Sequence, residues 1–382
     1  MRNPTIILFV LLIILLITKN ILAQSDGPRD MTDGLINPCW EYYSDNMISS
    51  ISAGKGYTGV SGLGDLSSLT LNPAAVNIEK KYQIYIGYAY KTDINFTNVF
   101  NYTPTLKNSF PSGIIGGVYR INKNFQTGFV YRNDYGYQIE YNNNSNSYYN
   151  IKNKLVTHNF TVPIIYNYEW FRAGVNLNLT YFRGEASGIF STEFFPEGYY
   201  DEAHSNLLRI IPQIGVIINP IKEFSFGITF IPGFTDSTKY HYNVTTPSER
   251  NLLVRYPWRL GVGTEVKLLN NRLKLSLDYR FDKTSIILNT KDKSNFNFGV
   301  EYQIKNNVAI RGGFFTLLDF RDLSNILMIE EDNNSYDQYF ITLGGTYKYK
   351  GYSFSLALMD SHLAKNNDVS HTKINGGISL DF

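Results

Sequence analysis

From residue 82 onward, apolar and polar residues alternate along the chain with a period of two, again and again. In the segment 82–96 the even positions are almost all aromatic or aliphatic, whereas the odd positions include Gln83 and Lys91. The segment 273–281 alternates in the same way. A period of two is typical of β-strands, because successive side chains point to opposite faces of a sheet. The pattern therefore predicts an all-β protein whose strands have one apolar and one polar face.

The length of the alternating segments distinguishes a membrane barrel from a soluble sandwich. Soluble strands usually have about five or six residues, whereas strands of about 9 to 11 residues suit a closed barrel in a bilayer. We therefore predict a fourteen-stranded antiparallel transmembrane β-barrel with an N-terminal plug (hatch) segment. The predicted strands lie near 82–95, 112–121, 124–136, 155–166, 169–183, 205–218, 223–231, 253–267, 272–283, 295–303, 307–316, 337–348, 351–359 and 371–382.

The connections between these strands alternate strictly between short and long. Such barrels have short turns on the periplasmic side and longer loops outside the cell, so both ends of the barrel are expected at the periplasmic side. The short turns are rich in residues that accept turn geometry. They are centred on 122–124, 167–168, 219–220, 270–271, 306–307 and 350–351.

The N-terminal region divides into two parts. Residues 6–17 form an unbroken apolar run that is too short for a membrane helix, so we interpret residues 1–23 as a secretory signal peptide. Residues 24–81 are rich in Gly, Ser and Asp and lack the alternation. Fourteen strands enclose a lumen that something usually fills, so this segment is predicted to fold inward as a plug. The barrel then comprises residues 82–382.

Composition and charge exclude several functions. The chain has 30 Tyr and 25 Phe residues, and such aromatics favour strands and membrane interfaces. Removal of Arg2 and Lys19 with the signal leaves 33 basic and 33 acidic residues, which argues against a nucleic-acid partner. Cys39 is the single cysteine, and no enzyme signature, metal site or cofactor site is indicated. The histidines are scattered, at His158, His204, His241, His362 and His371.

Charged residues concentrate on the polar face of the later strands, which would face the lumen. Opposite charges on adjacent strands form cross-strand pairs, so these residues are interpreted as networks that brace the wall and hold the plug. The alternative is a charged constriction, or a binding site for a carboxylate head group. The charged residues are Arg259, Glu265, Lys267, Lys274, Asp278, Arg280, Glu301 and Arg311.

The long link 184–204 contains too many aromatic residues for an ordinary solvated loop. An exposed apolar patch of this kind needs a partner. Either the rings pack over the barrel mouth or in the outer leaflet, or they form a capture site for an apolar ligand on an extracellular loop. The rings belong to Phe190, Phe194, Phe195, Tyr199 and Tyr200.

Phe382 ends the last predicted strand on its apolar face. This position is the one that the barrel-insertion machinery usually reads, so Phe382 is predicted to serve as the assembly signal.

Several motifs resemble one known family. The segment 61–75 reads SGLGDLSSLTLNPAA, in which Asn72-Pro73-Ala74 follows a small-residue, acidic stretch. It resembles the hatch of the FadL/TodX outer-membrane transporters of hydrophobic compounds. The segments 217–228 and 256–279 also resemble that family's barrel, so the resemblance spans the mature chain.

The resemblance implies a monomer in the outer membrane of a Gram-negative bacterium, in contact with outer-membrane lipid. It further implies passive uptake of hydrophobic small molecules such as long-chain fatty acids or aromatic hydrocarbons, without a cofactor or an energy source. Extracellular loops would capture the ligand, which would leave sideways through a gap in the wall. PorV-type barrels share the fold and the Asn-Pro-Ala hatch, so the alternative is a shuttle or anchor in a protein secretion system.

Overall fold

A computed structural model describes the hatch and most of the barrel. The described residues are 47–78, 80–95, 102–108, 112–133, 136–143, 149–192, 195–242, 248–286, 290–320, 337–365 and 369–382. The predicted signal peptide 1–23 and the first part of the predicted plug, 24–46, lie outside them. None of the helices in the described ranges is long and apolar enough to cross a membrane.

The described residues contain one short α-helix, three short 3-10 helices and nineteen strands. The helices are α1 (Ser50–Gly54) and the 3-10 helices Leu66–Thr70, Pro73–Ala75 and Thr284–Ile286. The strands are β1 (Tyr82–Lys91), β2 (Ile94–Asn95), β3 (Tyr102–Asn108), β4 (Ser112–Arg120), β5 (Phe125–Arg132), β6 (Gly136–Asn143), β7 (Tyr149–Tyr168), β8 (Phe171–Thr192), β9 (Phe195–Ile221), β10 (Phe224–Ile231), β11 (Phe234–Tyr242), β12 (Ser248–Tyr256), β13 (Arg259–Leu268), β14 (Leu273–Asp282), β15 (Lys293–Lys305), β16 (Val308–Leu317), β17 (Gln338–Tyr349), β18 (Tyr352–Asp360) and β19 (Thr372–Asp381).

The strands form a single antiparallel sheet that closes on itself. Closure occurs between β1 and β19, which pair from Gln83↔Asp381 to Lys91↔Lys373. Five barrel strands consist of two segments each, namely β1/β2, β3/β4, β5/β6, β10/β11 and β12/β13. The nineteen segments therefore make a fourteen-stranded barrel, which confirms the predicted fold.

Burial in the barrel wall is the reverse of that in a soluble protein. In β1, Ile84, Ile86 and Tyr88 are 44%, 55% and 51% exposed, whereas Gln83 and Lys91 are 3% exposed. The same reversal holds along β18, where Leu356 and Leu358 are exposed and Ser355 is buried. The apolar side chains thus face outward, where lipid would cover them, and the polar side chains face the lumen.

The prediction of a loop at residues 184–204 is wrong, because the chain there continues the antiparallel pairing of β8 with β9. Phe190 pairs with Tyr199, and the ladder extends to Thr192↔Phe195 at the tip. At about 3.3 Å per residue, the 27 residues of β9 are far longer than an apolar band about 25 Å tall. Beyond the membrane both faces of a hairpin meet water, so the alternation of apolar residues disappears while the hydrogen-bond ladder continues.

The predicted short turns all lie at one end of the barrel. Lys350 and Gly351, with φ of 47° and 89°, connect β17 to β18 in a two-residue turn whose positive φ angles match the twist of the flanking strands. Residue 82 and residue 382 reach the same end, where their backbones exchange two hydrogen bonds of 3.0 Å. This end is therefore the periplasmic side.

We expect Phe382→Ser to lower the yield of folded barrel. The Phe382 ring stacks on Tyr82 at 5.2 Å, and Tyr82 stacks on Tyr119 at 4.9 Å, so the substitution breaks a three-ring stack across the closing strands. An aromatic pair contributes about 0.5–1.5 kcal/mol beyond its buried area. The measurement is the heat-modifiable fraction in isolated outer membranes.

Tyr302→Ser is the matched control for this substitution. Tyr302 faces outward on β15 and, among the described residues, has no aromatic stacking partner. An equal loss of folded barrel in both variants would show that the stack at the closing strands has no special role in assembly.

Candidate functional site

The described part of the N-terminal segment, residues 47–78, lies inside the barrel. The helix α1 contacts β16, β17, β18 and β19, and the 3-10 helix Pro73–Ala75 contacts β7, β8 and β9. Between them, Lys55–Val60 lie against β13, β14 and β15 through hydrogen bonds and ion pairs. The hatch thus follows the inner wall around the lumen before it enters β1.

Side-chain caps hold the short helices of the hatch. Ser49 accepts a hydrogen bond from the Ser52 N–H at 3.3 Å, and Asp65 accepts from the N–H and the hydroxyl of Ser67 at 3.0 and 2.6 Å. Burial raises the pKa of the Asp65 carboxyl above its usual value, although the bonds from Ser67 act in the opposite direction. Such caps satisfy N–H groups that a short helix leaves without a partner.

Asn72-Pro73-Ala74 forms a tight turn against the wall. The Asn72 side chain accepts a hydrogen bond from the Ala74 N–H at 2.9 Å and donates to the carbonyl of Val60 at 2.6 Å. Pro73 occupies the first position of its 3-10 helix, where no backbone N–H is needed. The motif therefore joins two passes of the hatch to each other.

Inward-facing glycines allow the hatch backbone to touch the wall. A Cβ atom on Gly344 would lie 2.7 Å from the Cα of Gly54, and one on Gly174 would lie 2.5 Å from the carbonyl carbon of Pro73. Atoms at these distances overlap, so both positions require glycine while the hatch is in place. Three further strands carry a glycine of this kind, at Gly227, Gly299 and Gly313, while Gly215 faces the side chains of Asn72 and Pro73.

Lys55 forms the main ion pair between hatch and wall. Its Nζ atom lies 3.1 Å from Oε2 of Glu265, and the two side chains are only 6% and 3% exposed. Burial alone would lower the pKa of the Lys55 ammonium, but the Glu265 and Glu301 carboxylates outweigh burial and raise it. Lys55 is therefore charged in the folded protein, and removal of Glu265 would leave a buried charge unpaired.

Asp278 and Arg280 of β14 hold the next part of the hatch. One carboxylate oxygen of Asp278 accepts hydrogen bonds from the N–H groups of Gly59 and Val60, at 2.8 and 3.0 Å. Arg280 donates to the carbonyl of Tyr57 and lies 4.3 Å from the centre of its ring. Both residues, which the sequence places on the lumen face, thus bind hatch backbone.

The remaining predicted lumen charges are in the wall. Glu301 accepts from Lys274 and from Arg311, each at 2.6 Å, and Arg311 also donates to Thr346 at 2.7 Å. This network connects β14, β15, β16 and β17. Arg259 differs from the others, since its guanidinium lies 4.9 Å from the Tyr256 ring and lines a cavity.

The cavity lies on the extracellular side of the hatch and has a volume of about 180 Å³. Met47, Tyr57 and Leu71 of the hatch form part of its lining. Its apolar wall residues include Phe182, Ile211, Ile231, Tyr256, Leu260, Phe315, Leu317 and Phe320. Its charged wall residues are Arg132, Arg259, Arg280, Lys293 and Asp282. The lining therefore combines apolar residues with polar ones, and its charged residues are mostly positive.

Neutral polar side chains position the cationic side of this cavity. Asn178 accepts from Arg132 at 3.1 Å and from Thr161 at 2.7 Å, while its amide donates to the Ile211 carbonyl at 2.8 Å. Lys293 forms an ion pair of 2.9 Å with Asp282. The cationic groups thus keep fixed positions around apolar surface.

The predicted capture residues belong to the segment in which β8 ends and β9 begins. The backbones of Phe190, Phe195, Tyr199 and Tyr200 belong to the extended β8–β9 hairpin, and Phe194 lies outside the described residues. Their role in ligand capture stays a prediction. Within the described ranges, no group of three His, Cys, Asp or Glu side chains could hold a metal ion.

Sequence reasoning missed Lys55, Arg132, Gln213 and the wall glycines. Arg132 and Gln213 occur at polar positions of predicted strands, so strand parity could have assigned both to the lumen. Lys55 and the glycines gave no such signal, because their role depends on which hatch residue meets which strand.

A closed barrel with apolar side chains outside, polar side chains inside and a filled lumen is an outer-membrane β-barrel with an internal hatch. Solved transporters share this fold. The chain matches the Ralstonia pickettii toluene transporter TbuX with a TM-score of 0.65 and 15% identity, over 88% of this chain and 99% of that one.

Two further structures give the same result. A Pseudomonas aeruginosa FadL homologue matches with a TM-score of 0.67 and 15% identity, over 88% of this chain and 98% of that one. The Pseudomonas putida toluene transporter TodX matches with a TM-score of 0.59 and 12% identity, over 87% and 96%. At such identities the likeness shows the fold alone. No family model and no curated protein matches the chain.

We expect Gly227→Val to displace the hatch and raise conductance in planar bilayers. A Cβ atom at position 227 would lie 2.7 Å from the carbonyl carbon of Val60 and from the Cα of Ser61, so the hatch must move away from β10. Gly376→Val is the matched control, since a Cβ there meets nothing within 4 Å. Equal conductance in the two variants would show that this close approach does not hold the hatch.

Proposed function

We propose that this protein is a channel for passive uptake of hydrophobic small molecules across the outer membrane. The observation that carries the proposal is the cavity of about 180 Å³, which combines apolar rings and aliphatic side chains with polar and charged groups above a hatch that fills the lumen. Ligand sites are typically concave and largely apolar, with a few polar groups that orient the ligand. The shared fold with a toluene transporter supports the same class of cargo.

The form of the hatch also supports a channel for bound ligands and argues against an open water pore. The hatch contacts the wall through hydrogen bonds, an ion pair, backbone approaches to glycine and apolar clusters, such as that of Tyr57 with Phe315. No energy source is required for a ligand that moves down its gradient.

The charges of the cavity favour long-chain fatty acids over aromatic hydrocarbons. Arg132, Arg259, Arg280 and Lys293 contribute four positive groups and Asp282 one negative group. A carboxylate head would gain charge-assisted hydrogen bonds there, while toluene would gain nothing from these groups. The apolar rings would contact the acyl chain.

We expect Arg259→Met to weaken fatty-acid uptake and to leave toluene uptake unchanged. A hydrogen bond to a charged group contributes about 1.5–3 kcal/mol, which corresponds to a loss of about tenfold or more in apparent affinity. The measurement is uptake of radiolabelled oleate and of toluene into cells that lack other such channels. A parallel loss of both uptakes would argue that Arg259 serves the barrel and not the carboxylate.

We further expect replacement of Phe194 and Phe195 by Ser to reduce fatty-acid uptake at low concentration at least tenfold, with normal membrane insertion. Full cover of both rings by ligand would contribute about 3–6 kcal/mol, at about 1.5–3 kcal/mol for each side chain. Tyr240→Ser with Tyr242→Ser, near the tip of the β11–β12 hairpin, is the matched control.

The outcome of this experiment separates the two functions. Uptake equal to that of the parent would remove the β8–β9 hairpin from the capture mechanism. A parent that takes up neither oleate nor toluene would favour the protein-binding role of a secretion-system barrel.

A further inference from the structure

A group of cations and aromatic rings lies at the periplasmic end of the closing strands and has no part in the proposed uptake. It consists of side chains from the start of β1, the end of β4, the β17–β18 turn and the end of the chain. We call it the seam patch, and its members are Lys80, Lys81, Tyr82, Tyr119, Tyr349, Lys350 and Phe382.

The rings of the seam patch face the lipid. Tyr82, Tyr349 and Phe382 are 38%, 52% and 52% exposed on the outer face of the barrel. Tyr82 stacks on both Phe382 and Tyr119, at 5.2 and 4.9 Å. Aromatic rings at this height belong to the girdle that marks the boundary between hydrocarbon and head groups.

The cations lie beside these rings. The Lys81 ammonium is 5.5 Å from the ring centres of both Tyr82 and Tyr119, and the Lys350 ammonium is 5.3 Å from that of Tyr349. A Cβ atom on Gly351 would lie 3.8 Å from Nζ of Lys80, so the Lys80 ammonium reaches the β17–β18 turn. Three positive charges thus lie along the periplasmic rim of the closing strands, at the level of the lipid head groups.

Among the side chains that the structure describes at the seam patch, no exposed one is acidic, so three ammonium groups outnumber the single carboxylate at the end of the chain. Asp381, the acidic side chain closest in sequence to Phe382, is 8% exposed and accepts a hydrogen bond from Gln83 at 2.9 Å. The exposed acidic side chains described on the other periplasmic turns, Glu169 and Glu223, belong to the β7–β8 and β9–β10 connections.

Lys350 is an unexpected residue for its turn. Its φ of 47° lies in the left-handed region, which Asn, Asp and Gly adopt more readily than Lys. The turn geometry alone would therefore favour another residue, and the ammonium group gives a reason for lysine at this position.

We propose that the seam patch binds the phosphate of an anionic glycerophospholipid in the periplasmic leaflet. The ammonium groups face the lipid head group along this rim, and the acyl chains lie on the outward face of β1 below Tyr82, along Ile84 and Ile86. A lipid fits better than an acidic protein, because Lys81 and Lys350 lie within 5.5 Å of rings that are already at the hydrocarbon boundary. Polybasic groups near a membrane surface favour anionic lipids in this way.

The test is native mass spectrometry of the full-length mature protein in detergent, titrated with phosphatidylglycerol or with phosphatidylethanolamine. The parent should retain one phosphatidylglycerol at a lower lipid concentration than phosphatidylethanolamine. The variant Lys80→Gln, Lys81→Gln, Lys350→Asn should weaken phosphatidylglycerol binding at least tenfold, since each lysine near an anionic head group contributes about fivefold. Binding of phosphatidylethanolamine should stay unchanged.

The matched control removes three charges elsewhere on the same rim, as Lys222→Gln, Arg272→Gln, Lys305→Gln. It should bind phosphatidylglycerol like the parent. Equal weakening in both triple variants, or no preference for phosphatidylglycerol in the parent, would overturn the proposal. Lys350→Asn alone suits the turn and therefore folds, so unchanged phosphatidylglycerol binding in that variant would overturn it as well.

Discussion

Every peptide group inside a bilayer must find its hydrogen-bond partner within the protein, because hydrocarbon offers none. This chain meets the requirement by pairing β1 with β19, so that the sheet has no free edge in the lipid. Closure has a second consequence, since a fourteen-stranded barrel encloses more space than the wall side chains fill. The hatch exists to fill that space, and the polar inner wall exists to bind the hatch.

The contact between hatch and wall explains the unusual composition of the inner face. Where the hatch backbone touches the wall, glycine is required, as at Gly174 and Gly344. Where hatch N–H groups or an ammonium point at the wall, carboxylates receive them, as Asp278 and Glu265 do. Glycines and carboxylates that would be unfavourable in a soluble core are thus explained here by their contacts with the hatch.

The sequence predicts the barrel well because its signal is local. The alternation along a single strand, such as Tyr82–Lys91, indicates which face meets lipid, and the positions of the neighbouring strands are not needed for this prediction. The contacts of the hatch are not local, since Lys55 meets Glu265 across 210 positions of the chain. The extension of β8 and β9 beyond residue 184 escaped prediction for another reason, because the apolar alternation of the sequence ends there while the backbone pairing continues.

The distribution of polar contacts also decides how such a barrel can open. The barrel wall is stabilised by apolar contact with lipid and by a continuous ladder of backbone hydrogen bonds. Neither interaction can be broken over only part of the wall. The hatch is held by separate polar contacts, such as those of Asn72 and Arg280, and by apolar clusters with the wall, such as that of Tyr57 with Phe315. Under the proposed function, a ligand in the cavity would touch Tyr57 and Leu71 of the hatch directly, so differential binding to a shifted hatch would favour passage while the wall stays closed.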